Sequence, residues 1–451
     1  MTQLRFADAW VRAALGLEGS SPAAFGTILT DTRTLAPGAL FVALVGERFD
    51  AHEFLVAARD AGASGAVVRK GTAPVSGLVL YPVDDTLRAL GALAAAHRRS
   101  FTGPVIGITG QNGKTSTKEM VAAVLATRWQ THKTRANLNN LVGVPMTILE
   151  APAAAEALVV EAGANLPGEI ARYRDIIQPD IALVLNAGAG HLEGFGSVEG
   201  VIREKLSLAQ DAPLAIVGTE PASLAARARP LARRLITAGL ADADVLPDSV
   251  VMTPDGRPIV SIDGRRFTLS ARGRHQAGNA MFAWALVREL DLDRDAAAHA
   301  LGTFTIPGGR GELMQHDGLT IVNDGYNANP QSFATAIALA NELRAGRRLV
   351  FVAGSMRELG AHAEVLHREV AGWLAALEPE LLALVGDFVP AFAEYRANYA
   401  GRLLEAPDAD TLGPLLADRL RGDEVVVLKG SRGVTLERIL PAILARAANP
   451  T

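Results

Sequence analysis

The chain has 451 residues, 49% of them hydrophobic and 20% charged, with a formal net charge of −4. That balance excludes bulk attraction to nucleic acid or to an anionic membrane surface, and at roughly 150 residues per domain the length implies about three domains. The absence of cysteine excludes disulfides, thiolate metal sites and a thiol nucleophile.

The first residues, MTQLRFADAWVRAALGL, are amphipathic rather than a basic start followed by an apolar core. No later stretch reaches the roughly 18 uninterrupted apolar residues of a membrane span, so a cytoplasmic protein without membrane attachment is expected. Residues 1–82 hold short apolar runs at 39–45, 65–68 and 78–81 separated by turn residues, which predicts a small N-terminal α/β domain. Two polar clusters flank the first of these runs, Asp31, Thr32 and Arg33 before it, and the segment Gly46 to His52 that contains Asp50 after it. A helix over about 84–98 leads into the next domain.

Residues 83–310 alternate short apolar runs (105–109, 158–161, 181–185 and 214–217) with helical patterns, the signature of a doubly wound, mostly parallel sheet. Asp-Gly pairs at 255–256 and 263–264 predict added antiparallel hairpins. Residues 311–451 repeat the alternation at 320–322, 349–352, 381–385 and 424–428, which predicts a second open α/β sheet, Rossmann-like in character. Ligands of such sheets gather beyond the carboxyl ends of the strands.

Gly107 to Thr117 reads GITGQNGKTST, an apolar strand running into a glycine loop and then a helix. Gly110 to Thr115 is a short G-x-x-G-K-T phosphate loop, since the longer pattern would need glycine where Ile108 stands. Backbone amides of Gly110, Gln111, Asn112 and Gly113, the helix start at Lys114, Thr115 and Ser116, and the Lys114 ammonium are expected to hold nucleotide phosphates. Two further strand ends carry Glu161 and His191, which with the Thr115 hydroxyl form a candidate Mg²⁺ set. Lysine is scarce, at only positions 70, 114, 118, 133, 205 and 429 among 44 basic residues, so a retained lysine marks a site where guanidinium will not serve. Lys70 reads as an exception. Lys205 leaves two readings, an ammonium in solvent or an amine carbamylated by CO₂, and position alone favours solvent.

Seven ordered segments carry a resemblance: Gly110 to Thr115, Asn137 to Pro145, Glu161 to Ile170, HLEGFGS at 191–197, Arg274 and His275 with Asn279, Gly309 to Glu312, and DGYNANP at 324–330. Together they resemble the Mur ligase family over nearly the whole chain. The resemblance implies an ATP-dependent amide ligase of peptidoglycan precursor synthesis with ATP and Mg²⁺ as cofactors. Its partners would be a UDP-N-acetylmuramoyl-tripeptide and D-alanyl-D-alanine, and its expected state is a monomer. It implies catalytic roles for Lys114, His191 and Lys205, with Lys205 carbamylated, and metal ligation by Thr115, Glu161, Lys205 and His191. Asn279 matches an adenine contact, Arg310 a phosphate contact and Asp324 a ribose contact. Asp31, Thr32, Arg33, Asp50 and His52, together with Asn137 and Asn140, match substrate positions, while Lys429 and Arg432 match residues facing the active site. Gln111, Ser116, Ala51, Leu206 and Ser355 depart from the usual pattern, which touches details of metal and acceptor binding rather than the class of reaction. Competing readings are a sister ligase or a folylpolyglutamate synthase-like ligase with another amine and, from a different class, an ATP-driven switch.

Overall fold

The computed structural model describes residues 4–447 and contains five sheets. The N-terminal part holds a short antiparallel pair, Phe6–Ala7 with Ala24–Phe25, and a four-stranded parallel sheet in the order Ile28–Leu29, Ala39–Val42, Ala63–Arg69, Val79–Val83. The helix Thr86–Arg99 follows, capped by Asp85, whose carboxylate accepts the Leu87 and Arg88 amides.

The central sheet is wholly parallel, in the order Leu235–Ala238, Leu214–Gly218, Ile181–Val184, Val105–Thr109, Ala157–Glu161, Thr131–Lys133. Its strands are apolar on both faces, and their alternate residues enter different cores. Ile106, Ile108, Val159 and Leu183 pack with the helices Lys114–Leu125 and His275–Glu289, whereas Val105, Leu158, Val160 and Ala182 pack with Thr86–Arg99 and Glu169–Ile177. The expected hairpins form a three-stranded antiparallel sheet, Ser249–Met252, Pro258–Ile262 and Arg265–Thr268. Asp263 and Gly264 both take positive φ (50° and 73°), the tight turn whose twist matches the flanking strands.

The last sheet runs Glu312–His316, Leu319–Asp324, Val425–Lys429, Leu349–Gly354, Leu381–Val385, Leu403–Ala406, parallel except at its first strand. The sequence reading lacks that strand, although Asp317 and Gly318 carry its turn signal with φ of 44° and 90°. It also lacks Thr131–Lys133, Leu235–Ala238 and Leu403–Ala406. These are short edge strands with one neighbour each, which do not need the unbroken apolar run that marks a buried strand.

Candidate active site

Val105–Thr109 lies inside the central sheet, with the chain progressing to either side of it, so its carboxyl end opens at the crevice where such sheets bind ligands. Gly113 sits there with φ of 80°, and a Cβ at this position would come within 2.6 Å of Asn279 Oδ1. Both conformation and close approach therefore demand glycine. The helix Lys114–Leu125 starts at the next residue, aiming its first amides at an incoming anion. Lys114 Nζ donates to the carbonyls of Gly110 (2.9 Å) and Gln111 (3.1 Å). Desolvation lowers its pKa, an effect opposed by the Glu161 charge and reinforced by Arg310.

The structure narrows the role of the loop amides. Gln111 N donates to the Asn186 carbonyl at 3.0 Å, and Asn112 N to Asn186 Oδ1 at 2.9 Å. Two amides are thus engaged by the neighbouring strand end, and the helix-start amides from Lys114 onward are the better anion donors. Asn186, just after Ile181–Val184, shapes the loop, a role its place at a strand end could have suggested.

Glu161 is the hub of the next cluster. Its Oε1 accepts from Thr115 Oγ1 at 3.2 Å and from Asn139 Nδ2 at 2.8 Å, while its Oε2 is buried without a hydrogen-bond partner. Asn139 was not among the expected site residues. Its neighbour Asn140 uses its carboxamide oxygen locally, accepting the Val142 and Gly143 amides at the start of the helix Gly143–Leu149. Asn137 borders the same cleft. Behind Glu161 stands Lys118, fully buried, 2.9 Å from Glu119 and 3.9 Å from Glu161 Oε2.

His191 adopts a left-handed backbone (φ 54°), and its Nδ1 pairs with Glu358 of the last sheet's loops. Among the described residues, no three His, Asp or Glu side chains converge as a ready-made metal cluster. Of the four expected metal ligands, Thr115 and Glu161 meet directly, whereas His191 and Lys205 contact other groups.

The positional reading that sends Lys205 to solvent is overturned. Lys205 is fully buried on the helix Val198–Leu206, with Nζ 3.4 Å from the Ala164 carbonyl and 5.5 Å from the Phe195 ring centre. On that last turn Arg203 is exposed while Glu204, Lys205 and Leu206 are buried, so Lys205 lies on the packed face of the helix. Burial lowers the Lys205 pKa to about 7, and the Lys114 charge adds to the effect. Such an amine is partly neutral at neutral pH.

The last sheet supplies the opposite wall. Asp324 and Lys429 are register neighbours on adjacent strands, and Lys429 Nζ donates to Asp324 Oδ2 at 2.8 Å and to the Asn327 carbonyl at 2.7 Å. The Arg310 guanidinium lies 3.7 Å from the centre of the Tyr326 ring and that of Arg432 5.4 Å from it. Asn279 donates to Gln276 at 3.0 Å. Asn279, Arg310, Asp324, Lys429 and Arg432 line one cleft of about 980 Å³ together with Gln111 to Ser116, Glu161 and His191.

The N-terminal candidates stand apart from that cleft. Asp31 accepts from the Arg33 amide at 2.9 Å and from its guanidinium at 2.6 Å, which draws the carboxyl pKa down to about 2. Asp50 accepts from the His52 amide at 3.0 Å and from Arg69 at 2.5 Å, and His52 Nε2 accepts the Arg69 amide at 2.9 Å. Arg69, at the end of its strand, was not singled out from sequence.

A phosphate loop facing acidic, basic and carboxamide groups across a cleft between two α/β sheets defines a nucleotide-dependent phosphoryl-transfer enzyme. The Mur ligase middle domain matches residues 108–287, and the Mur ligase glutamate ligase domain matches residues 309–432. The UDP-N-acetylmuramoyl-tripeptide–D-alanyl-D-alanine ligase of Bacillus subtilis is 34% identical over 433 residues, covering 92% of this chain and 93% of its own. A crystal structure of MurF from Acinetobacter baumannii superposes with a TM-score of 0.88 at 28% identity, covering 98% of this chain and 99% of that one. MurF ligase from Thermotoga maritima in complex with ADP gives a TM-score of 0.83 at 26% identity, covering 94% and 98%. The chain belongs to the Mur ligase family.

Proposed function

We propose that this chain joins D-alanyl-D-alanine to UDP-N-acetylmuramoyl-tripeptide with conversion of ATP to ADP and phosphate, in the cytoplasmic stage of peptidoglycan precursor synthesis. The observation that carries the reading is the single cleft in which the phosphate loop, Glu161 and His191 face Asp324, Arg310 and Lys429.

The γ-phosphoryl group of ATP passes to the terminal carboxylate of the tripeptide, breaking the bond to the β-phosphate bridging oxygen and releasing ADP. Lys114 and the helix-start amides stabilise the charge that builds on the transferred oxygens. The amine of D-alanyl-D-alanine attacks the resulting acyl phosphate. The tetrahedral intermediate then expels phosphate, the amine proton is lost, and the amide remains. No side-chain nucleophile is required. The protein contributes position and exclusion of water, since two reactants and ATP must meet in one cleft.

Mg²⁺ fits the donor chemistry here, because the Thr115 hydroxyl and the Glu161 carboxylate are hard oxygen ligands and Glu161 Oε2 is buried without a hydrogen-bond partner. When bound it would neutralise phosphate charge. His191, oriented through its Nδ1 contact with Glu358, would serve the same site through Nε2. The lowered pKa of Lys205 supports its carbamylation, since only a neutral amine adds to CO₂ and the product is a carboxylate. The N-terminal residues Asp31, Thr32, Arg33, Asp50 and His52 are assigned to the uridine nucleotide, with residues 1–82, 83–310 and 311–451 as the substrate, ATP and C-terminal domains.

Phosphate release measured with ATP, UDP-N-acetylmuramoyl-tripeptide and each candidate amine in turn tests this reading. Release that depends on D-alanyl-D-alanine, with a product heavier by the dipeptide less water, is the expected result. Equal release without any amine would overturn it. For Lys205, an alanine variant loses activity and short carboxylates restore it, whereas a fully active variant would remove the lysine from the mechanism.

A further inference from the structure

Asn112 lies in the middle of the phosphate loop, yet the polar contacts of its side chain are to the last sheet. Its backbone is fixed by Asn186, which accepts the Asn112 amide at 2.9 Å and donates Nδ2 to the Asn112 carbonyl at 3.2 Å. Its carboxamide Oδ1 accepts from Asn329 Nδ2 at 2.7 Å, and its Nδ2 donates to Asn329 Oδ1 at 3.3 Å and to Gln331 Oε1 at 2.9 Å. Gln331 Nε2 continues to Glu220 Oε2 at 3.0 Å, back on the central part of the chain. Asn329 is 2% exposed and also caps the helix Pro330–Arg344 by accepting the Ser332 amide at 2.9 Å. It follows by five residues Asp324, which holds Lys429.

We infer that Asn112 and Asn329 are a positioning pair for the reaction: their reciprocal carboxamide bonds set the loop of residues 324–330 over the phosphate loop, so that a nucleotide held by one sheet is met in register by the other. The inference rests on the reading of this cleft as the ATP site. Carboxamides suit the task chemically. Each offers a donor and an acceptor on one rigid plane, so two of them can pair face to face, which a hydroxyl or a carboxylate cannot do alone. They are also neutral, so the pair can part without exposing an unpaired buried charge. Gln331 gives the second donor of Asn112 a partner, and Asn186 prevents the loop from yielding when the contact pulls on it.

Like charges placed on the two members of the pair test the inference. Asn329→Asp keeps the oxygen that caps the helix, and Asn112→Asp keeps the backbone contacts to Asn186. In either single variant the remaining carboxamide rotates and donates to the new carboxylate, so kcat falls by about 10-fold or less. In the double variant two carboxylates face each other across the former bond, and kcat falls at least 100-fold and by more than the product of the two single effects. ADP binding, measured by calorimetry on the full chain, weakens in the double variant by no more than the product of the single effects, because the repulsion of phosphate by the loop's new carboxylate is already present in Asn112→Asp. Small-angle scattering with ADP and UDP-N-acetylmuramoyl-tripeptide present shows a larger radius of gyration for the double variant than for the wild type.

A double variant whose kcat equals the product of the singles, or whose radius matches the wild type, overturns the inference. Should the double variant fail to fold, Asn112→Ala and Asn329→Ser, whose hydroxyl still caps the helix Pro330–Arg344, form a second cycle. There the combined variant is expected to be no worse than Asn112→Ala alone, and independent effects would count against the pair. A wild-type chain that binds no ADP refutes instead the assignment of the cleft.

Discussion

The central cleft and the N-terminal polar clusters are built on opposite plans. In the cleft, Lys114 and Asn279 bond to near neighbours, but four other functional side chains are held by partners distant in sequence: Glu161 by Thr115 and Asn139, Lys429 by Asp324, His191 by Glu358, Asn112 by Asn329. At the N-terminal clusters, Asp31 is held by Arg33 and Asp50 by His52, two residues away, on exposed or half-buried turns, and the longer-range partner there is Arg69, whose exposed guanidinium reaches Asp50. Long-range contacts fix geometry because the whole fold must move to break them. Local pairs give a receptive surface whose side chains can exchange partners for a ligand. The contrast matches the tasks proposed for each region, transition-state stabilisation in one and substrate capture in the other.

If that contrast is right, damage to the cleft lowers kcat and damage to the N-terminal clusters raises KM. The largest effect belongs to Lys114→Ala, which is expected to lower kcat by about 10³-fold, since it removes a charge aimed at the transferred phosphoryl group. Near-normal turnover in that variant would remove the loop from the chemistry. Asn139→Ala comes next. It leaves Glu161 Oε1 with the Thr115 hydroxyl as its remaining donor, and a loss of about 10- to 100-fold in activity follows for a residue that orients a ligand. Mn²⁺ binding in the presence of ADP, read by electron paramagnetic resonance, separates this from a general loss of stability: affinity falls while the unfolding midpoint holds.

Much of this architecture was legible in the sequence where a single strand announces itself. Val105–Thr109 and Leu381–Val385 fall where the apolar runs predict them, because strands buried on both faces must be apolar throughout. The scarcity of lysine was also informative. Lys118, Lys205 and Lys429 are nearly or fully buried and Lys114 lines the cleft, whereas Lys70 is exposed beside Asp84. What stayed hidden were partners set by the meeting of two sheets. Nothing local to Asn139, Glu358 or Gln331 says that each will meet a residue more than 20 positions away. The orientation of Lys205 was hidden for the same reason, since its burial depends on how the helix Val198–Leu206 packs.

The N-terminal side of the contrast is sharpened by Arg33→Ala. Removing an exposed guanidinium that pairs with Asp31 should raise KM for the UDP-linked peptide by about 3- to 10-fold with kcat unchanged, the pattern of lost uniform binding. A fall in kcat of the same size, with KM unchanged, would place Arg33 in the chemistry and erase the distinction between the two regions.

The smallest effect on turnover is expected at the seam between the regions, where His97 on the helix Thr86–Arg99 packs edge-on against Phe6 and accepts from the Arg5 guanidinium at 3.3 Å. Desolvation first, and then the Arg5 charge, lower its pKa from 6.5 to about 4. A folded-state value below the unfolded one means that the unfolded chain binds the proton more readily. The contribution to stability is therefore complete above pH 6.5 and is lost as the pH falls through the folded value near 4. The loss amounts to about 1–2 kcal/mol, because the ring keeps partial access to water. His97→Gln retains an acceptor for Arg5 and cannot titrate, so urea unfolding at pH 7 and pH 4.5 should show a shallower loss for the variant than for the wild type. Equal losses in the two proteins would show that the acid sensitivity does not arise at His97, and the seam would then be a passive contact between the N-terminal part and the central sheet.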